Sequence, residues 1–458
     1  MPLPAATDSN MTNMLNTTVP TAIFIIGRDT VSLSTLRLNF FAMKNSNRKG
    51  NLNFFKVTIL ALLAIATISC HSGRDATHSL PGDTLKAAKV RPGIFQTDRY
   101  LPLLKGKRVA VCGNQTSVND TAHLVDLLLA KGIRVVKVFA PEHGFRGRHD
   151  AGETVENGID TKTGLPIISL YGRHKKPTPE DLQNVDIIVF DIQDVGARFY
   201  TYLSTLHYIM EAAAEKHIPV IVLDRPNPHI DEVDGPVMDS AHFSFVGMHP
   251  VPILYGMTIG EYARMINGEG WLKNGVKAKL TVIPILHYTR HTPYTLPVKP
   301  SPNLPNRQSV MLYPSLCLLE PTDVSVGRGT DWPFQVFGAP AMCPDEFRFT
   351  PKPNEGAKHP KHQGTECCGR DLRRVDPPKG INLNWLIYVY QKHKNKEHFF
   401  KKYFERIAGT DSLRLQIQKG LSAEPIKASW QPELEKFKKM RRPYLIYPPV
   451  NPPGKAGF

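Results

Sequence analysis

Between Arg108 and Asn227, short apolar, β-branched runs alternate with amphipathic helical patterns, and this alternation restricts the fold more than any other feature of the chain. The runs are KRVAVC, RVVKVFA, LPIISLYG, VDIIVFDI and PVIVLD. Continuous apolar runs of this length read as strands buried on both faces. Between them, AHLVDLLLAKG and YLSTLHYIMEAAAEKH carry apolar residues at three- and four-residue steps and stop near Gly132 and His217. Strands alternating with helices predict a parallel sheet covered on both faces. Each run also gives way to polar residues: Asn114 and Gln115, Glu142 and His143, Arg173, Gln193 and Asp194, Arg225 and Asn227. In an open parallel sheet these carboxyl ends share one edge, and the crevice outside it is where ligands bind.

The most chemically loaded strand end is RVVKVFAPEHGFRGRHDAGE, residues 134–153. Pro141 and Gly144 stop the strand with Glu142 and His143 side by side, and Gly144 and Gly147 allow close approach of the backbone to a ligand. Arg146, Arg148, His149, Asp150 and Glu153 add charge. The first turn, GNQTSVND, has a single glycine, and no Gly-Lys-Ser phosphate loop occurs, so the sheet is Rossmann-like in topology without a nucleotide fingerprint. No Gly-x-Ser-x-Gly elbow supports a serine hydrolase. His143, His149 and Asp150 fit no helical metalloprotease spacing, so neither a metal nor another cofactor is expected. Carboxylate acid/base chemistry remains, with Glu142 leading and Glu153, Asp194 and Glu320 behind it. A carboxyl group set among apolar side chains can keep its proton long enough to deliver it to a glycosidic oxygen.

Beyond about Phe243 prolines become frequent, IGEYARMINGEG reads as a helix and KAKLTVIPI as a strand, which together predict a second, α+β domain. Its informative loops are SPNLPN, with Asn303 and Asn306, and LLEPTDVSVGRGTDWPF, with Glu320, Ser325, Arg328, Thr330 and Trp332. A guanidinium presented between two glycines suits recognition of a carboxylate through paired hydrogen bonds. Tyr200, Tyr202 and Trp332 offer aromatic faces to a sugar. The expected division is therefore a Rossmann-like α/β domain over 91–242 and an α+β domain over 243–458, whose tail from Asn382 is helical.

Ahead of these lies a segment of different character. Lys44, Arg48, Lys49 and Lys56 precede VTILALLAIATI, Val57 to Ile68, which is too short to span a bilayer and fits the apolar core of a secretory signal. Ser69 and Cys70 follow, as in a bacterial lipoprotein signal, with Thr67 where Leu is usual. The reading is a signal over 43–70 starting at Met43, a mis-called extension over 1–42, lipid attachment at Cys70 and a linker over 71–90. It predicts a periplasmic, membrane-anchored protein. Cys112, Cys317, Cys343, Cys367 and Cys368 are an odd set without zinc spacing, so no disulfide framework is expected. The formal net charge is +16, but the basic residues are dispersed, thickening in helical regions from Lys392 to Lys402 and Lys436 to Arg442. No nucleic-acid-binding signature accompanies them, and nucleic acid is not an expected partner.

PEHGFRG, AGE, LPIISLYG, PTPEDL, VFDIQDVGARFYTYLSTL, VLDRPNP, SPNLPN, LLEPTDVSVGRGTDWPF, a Cys-Gly followed by Asp-Leu, AGTDSL and SWQPELEKF occur in that order. Together they resemble the NamZ-type exo-β-N-acetylmuramidases over roughly residues 90–448. The resemblance implies a Rossmann-like domain and a smaller α+β domain with the active cleft between them. It also implies release of N-acetylmuramic acid from the non-reducing end of peptidoglycan-derived disaccharides and muropeptides, without metal or nucleotide. The family's cleft glutamate falls on Glu142, expected as general acid, beside His143. Glu153 is the candidate second carboxylate. A separation of about 5–5.5 Å from the first would indicate a nucleophile and about 6.5–9.5 Å an attacking water. Alternatively, the substrate's acetamido group attacks and Asp194 orients it. Arg328, Arg198 and Arg225 are candidates for the lactyl carboxylate, with Arg146, Tyr200, Tyr202, Asn227, Asn303, Glu320 and Thr330 as further substrate contacts. Departures from the family pattern are Cys112, Ser117 and the doubled Cys367-Cys368. The competing reading is a periplasmic binding protein that holds muropeptide without cleaving it.

Overall fold

The computed structural model describes residues 88–142, 144–146, 157–344 and 347–448, all within the compact unit Leu85–Phe458. The signal and lipidation segment lies outside the described residues, as do His143, His149, Asp150 and Glu153. Among the described residues no helix is long and apolar enough to cross a membrane.

The predicted apolar runs form strands β1 (Val109–Gly113), β2 (Val135–Ala140), β4 (Pro166–Ser169), β5 (Ile187–Asp191) and β6 (Val220–Leu223). With β3 (Gly158–Ile159) and β7 (Leu280–Ile283) they make a seven-stranded sheet in the order β3-β4-β2-β1-β5-β6-β7. The pairings are parallel except that of β3 with β4. β7 corrects the expected domain boundary. It pairs with β6 in the register Val220↔Leu280, so the first sheet does not end at residue 242 but draws its last strand from the segment assigned to the second domain. An apolar strand carries no mark of the sheet it will join.

Helices α1 (Thr97–Leu104), α2 (Leu124–Ala130), α3 (Tyr202–Glu215) and α4 (Ile259–Gly268) cover the sheet. Alternation along β1 sorts its side chains. Val109 and Val111 face a core with Tyr100, Leu124 and Leu128. Ala110 and Cys112 face the other layer, where α3 and α4 pack. The Cys112 thiol is buried there, and burial pushes its pKa up, which makes it a packing group. A capping box fixes the start of α4: the Thr258 hydroxyl accepts from the Glu261 N–H and the Glu261 carboxylate accepts from the Thr258 N–H.

The second unit holds α5 (Arg307–Leu316), a three-stranded antiparallel sheet of β8 (Val336–Ala339), β9 (Phe347–Phe349) and β10 (Cys367–Asp371), then α6 (Asn384–Lys392), α7 (Phe404–Ala408), α8 (Ser412–Gln418) and α9 (Ala423–Arg441). The α3 side of the first sheet and the interior of this unit form one continuous core, joining Phe190 and Leu206 to Leu316, Phe334 and Phe404. Two further expectations are corrected here. Helix α6 ends at Lys392, so the basic stretch that follows it is not helical before α7. A disulfide joins Cys343 to Cys368, because pairing of Cys368 with Ala339 brings β10 beside the turn after β8. That antiparallel register could not be read from residue spacing.

Candidate active site

The carboxyl edge of the sheet is tied together before it is functional. The Thr116 hydroxyl donates to Asn114 Oδ1 (2.6 Å) and accepts from the Gln193 N–H (2.9 Å), linking the ends of β1 and β5. Asn114 Nδ2 donates to the Tyr202 hydroxyl (2.8 Å), which donates to the main-chain oxygen of Glu142 (3.2 Å). The first residue of α3 thereby fixes the backbone beyond β2. Gly144 has φ +81°, and its N–H donates to the Pro141 carbonyl (3.1 Å), which turns the chain just past Glu142.

The Glu142 side chain is held separately. The Thr201 hydroxyl donates to Oε2 at 2.5 Å, and the Tyr171 phenol also hydrogen-bonds the carboxylate. Burial first, and the neighbouring carboxylate second, push the Tyr171 pKa up, so the phenol keeps its proton and remains a donor. Glu142 therefore faces a cavity of about 190 Å³. Tyr171, Phe199, Tyr200, Phe245, Tyr313 and Phe334 supply its aromatic lining, and Asn303, Glu320 and Arg328 its other notable polar groups. The residues up to Leu304 belong to the sheet domain and its connections, and those from Tyr313 to the second unit, so the cavity sits at their junction.

The two glycines set the shape of the Gly-Arg-Gly loop. Gly327 and Gly329 have φ of +81° and +80°. A Cβ on Gly327 would come within 2.7 Å of the Trp332 carbonyl oxygen, and one on Gly329 within 2.6 Å of Pro360, so neither position admits a side chain without a shift. Between them, Arg328 donates from Nε to Glu320 Oε1 (2.6 Å) and from Nη2 to Oε2 (3.1 Å). Nη1 has no acceptor among the described residues. The guanidinium also lies over the Phe334 ring at 5.0 Å. Lys361 fastens the preceding loop by donating to the carbonyls of Glu320, Thr322 and Val324. Thr330 closes the turn, donating to the Gly327 carbonyl (2.7 Å), and lies outside the lining.

Other candidates are positioned for structure. Arg198 is 2 % exposed and donates to the carbonyls of Pro236, Val251, Ile407 and Ala408, which gathers two loops and the end of α7 around one guanidinium. Arg225 is buried and forks onto Asp191 (2.5 and 2.9 Å), locking the ends of β5 and β6. Both are therefore corrected from carboxylate ligands to internal braces, and Arg328 is the arginine among the described lining residues of the cavity. Asp194 is buried, accepts from the Gly196 N–H (2.7 Å) and from the Tyr255 hydroxyl, and is absent from the lining, so it does not orient a substrate group there. Burial, opposed by those hydrogen bonds, raises its pKa to about 6. Arg146 forks onto Asp160 (3.2 and 2.8 Å) away from the lining. Tyr202 acts through the Glu142 backbone, whereas Tyr200 lines the cavity and donates to the Pro300 carbonyl (2.8 Å). Trp332 stacks against the Arg373 guanidinium, 4.1 Å from its ring centre, and does not line the cavity. Asn303 lines it while donating to the Gly356 carbonyl (2.6 Å). Asn227 donates to the Met257 carbonyl (2.8 Å) and lines a different hollow.

Sequence reasoning missed Tyr171 and Thr201, two side-chain partners of Glu142 among the described residues. Tyr171 closes the run LPIISLYG and was accessible to the same strand-end rule that selected Glu142. Thr201 stands between the two tyrosines that were selected. Tyr313 and Phe334 join the lining only because the second unit docks here, and no local pattern signals that.

Comparison with known proteins agrees with this architecture. Residues 109–308 match the family model described as exo-beta-N-acetylmuramidase NamZ, N-terminal, and residues 311–447 match its C-terminal counterpart. The chain is 40 % identical over 422 residues to the peptidoglycan beta-N-acetylmuramidase NamZ of Bacillus subtilis (strain 168), covering 85 % of this chain and 98 % of that one. A crystal structure of a DUF1343 family protein from Bacteroides fragilis NCTC 9343 is similar at 45 % identity and a TM-score of 0.74, covering 79 % of this chain and all of that one. A second such protein from the same organism is similar at 29 % identity and a TM-score of 0.68, covering 78 % and 99 %. The chain is thus a member of the NamZ exo-β-N-acetylmuramidase family.

Proposed function

We propose that this protein is an exo-acting glycosidase that releases N-acetylmuramic acid from the non-reducing end of peptidoglycan fragments, with Glu142 as the general acid. One observation carries the reading: a single aromatic-lined cavity holds both a carboxyl group fixed by Thr201 and Tyr171 and a guanidinium braced by Glu320. The rings give a pyranose apolar surfaces to lie against. The lactyl carboxylate that distinguishes muramic acid from glucosamine meets Arg328 Nη1, while Glu320 keeps the guanidinium plane in place. Glu142 then delivers a proton to the bridging oxygen as the anomeric carbon–oxygen bond breaks, and water completes the product at the anomeric carbon.

The second carboxylate remains Glu153 in this proposal, with attack by the substrate's acetamido group as the alternative. Glu320 is the other carboxylate among the described lining residues, and both of its oxygens accept from Arg328, which suits bracing better than attack. The proposal also has the protein exported and anchored through lipid on Cys70. The signal-like run Val57 to Ile68 supports this, as does the Cys343–Cys368 disulfide, since such bonds persist in oxidising compartments.

The test is product identification. Glycan fragments bearing muramic acid at the non-reducing end should yield free N-acetylmuramic acid and a chain shortened by one sugar, resolved by liquid chromatography and mass spectrometry. Binding without any released sugar would make the protein a muropeptide-binding module instead.

A further inference from the structure

Beside the proposed active site lies a larger cavity, of about 560 Å³, which does not include Glu142. The two share a wall. Leu304 lines both, and Pro300 lines the larger one while its carbonyl accepts the Tyr200 phenol of the smaller. Asn227 and Pro228, just past β6, also line the larger cavity, so both hollows lie on the carboxyl edge of one sheet. In the order β2-β1-β5-β6, three strand steps separate the Glu142 end from this one. At about 4.8 Å per step the offset is roughly 14 Å. That is the reach of roughly four extended residues, which fits a single elongated ligand better than two unrelated ones.

The charge of the second cavity indicates what it would hold. Lys299, Arg307 and Lys379 line it and are exposed; the Lys299 and Arg307 side chains have no hydrogen-bonding or ionic partner among the described residues, and Lys379 acts on the Glu232 carboxylate by charge alone. The fourth lining guanidinium, Arg290, is committed to Glu261 at 2.8 Å, and its Nε has no acceptor. Of the lining carboxylates, Glu232 hydrogen-bonds His229 (2.7 Å) and accepts from the Gly380 N–H, and Asp231 is unpaired among the described residues. Setting aside the Arg290–Glu261 pair, three lining cations, Lys299, Arg307 and Lys379, face two lining carboxylates, Asp231 and Glu232, so positive charge exceeds negative by one. Prolines such as Pro293 and Pro305 stiffen the walls, so the hollow is preformed.

We propose that this cavity is a second subsite, which takes a carboxylate-bearing extension of the muramyl substrate and sets a preference for longer acidic fragments. The inference rests on the proposed function, because it places the extension relative to a muramic acid residue in the first cavity. The carboxylates come from one of two sources: an acidic peptide attached to the sugar, or the lactyl group of a muramic acid further along the glycan.

The test compares the wild-type chain with the triple variant Lys299→Ala, Arg307→Ala, Lys379→Ala on three substrates. These are a chromogenic N-acetylmuramic acid glycoside, a peptide-free muramyl tetrasaccharide, and a muramyl disaccharide carrying an acidic peptide. The small glycoside does not reach the second cavity, and its kinetics should be the same for both proteins. For at least one extended substrate the variant's KM should rise roughly tenfold, the product of three exposed charge contacts, with kcat within about twofold. Whichever extended substrate responds identifies the source of the carboxylates. An unchanged KM for both extended substrates, or an equal loss on the small glycoside, overturns the subsite. If the wild-type chain cleaves none of the three, the proposed function falls, and equilibrium binding of the extended fragments decides the subsite: a roughly tenfold weaker affinity in the variant supports it and equal affinity overturns it.

Discussion

Replacing Arg328 with leucine isolates recognition from chemistry. In the structure the side chain is 25 % exposed and donates from Nε and Nη2 to Glu320, while Nη1, the atom proposed to meet the lactyl carboxylate, has no acceptor among the described residues. A hydrogen bond between charged groups contributes about 1.5–3 kcal/mol, and partial exposure screens it toward the lower end. About 1.5 kcal/mol corresponds to roughly a tenfold change. The expected result is a tenfold fall in kcat/KM for a chromogenic N-acetylmuramic acid glycoside. Competitive inhibition by N-acetylglucosamine, which lacks the lactyl carboxylate, should stay within twofold. The substitution also leaves Glu320 without its partner, so the double variant Glu320→Gln, Arg328→Leu is measured alongside and should show the same loss of selectivity. If the two sugars are weakened equally, or neither is weakened, the carboxylate is not read by Arg328 and the assignment fails.

Two predictions concern the scaffold. Asp224 is fully buried and accepts from Thr258, Tyr447 and the Gly260 N–H, yet burial outweighs those bonds and raises its pKa to about 7. Its ordinary value is 3.8. Between these two values the folded chain binds a proton that the unfolded chain has released, so this group's contribution to stability falls as pH rises through that window. Asp224→Asn should flatten the decline in Tm between pH 4 and 7, and an unchanged slope would remove Asp224 as its source. The Cys343–Cys368 bond closes a loop with a sequence separation of 25, for which chain entropy gives about 3.5 kcal/mol of stabilisation. Cys368→Ser should lower the free energy of unfolding by that order in denaturant titrations, and dithiothreitol should have the same effect on the unmutated chain. Equal stability with and without reductant would show that the bond does not constrain the fold.

The sheet was legible because its signal is local. β1, β5 and β6 are fully buried and largely apolar, β2 is broken only by Lys137 and β4 is partly buried, and the polar residues that follow these runs mark the carboxyl edge of the sheet. Glu142 was found by that rule, and Tyr171 lay within its reach. The glycines flanking Arg328 were equally informative, since their left-handed φ values leave room for little else. What could not be read was whatever depends on two distant segments meeting. Nothing around Arg198 or Arg225 distinguishes a guanidinium that faces a ligand from one surrounded by its own carbonyls or paired with Asp191. The assignment of β7 to the first sheet, the pairing of Cys343 with Cys368, and the arrival of Tyr313 and Phe334 beside Tyr200 are long-range outcomes of the same kind.

The most direct measurement is the turnover of Glu142→Gln on a chromogenic N-acetylmuramic acid glycoside, paired with its affinity for the same compound. Glutamine preserves the shape of the side chain and the Thr201 contact at its oxygen but has no acidic proton to give. The account predicts a fall in kcat of at least about 100-fold, the usual scale for removing a general acid, with binding retained. Near-normal turnover would take Glu142 out of the mechanism and the account with it.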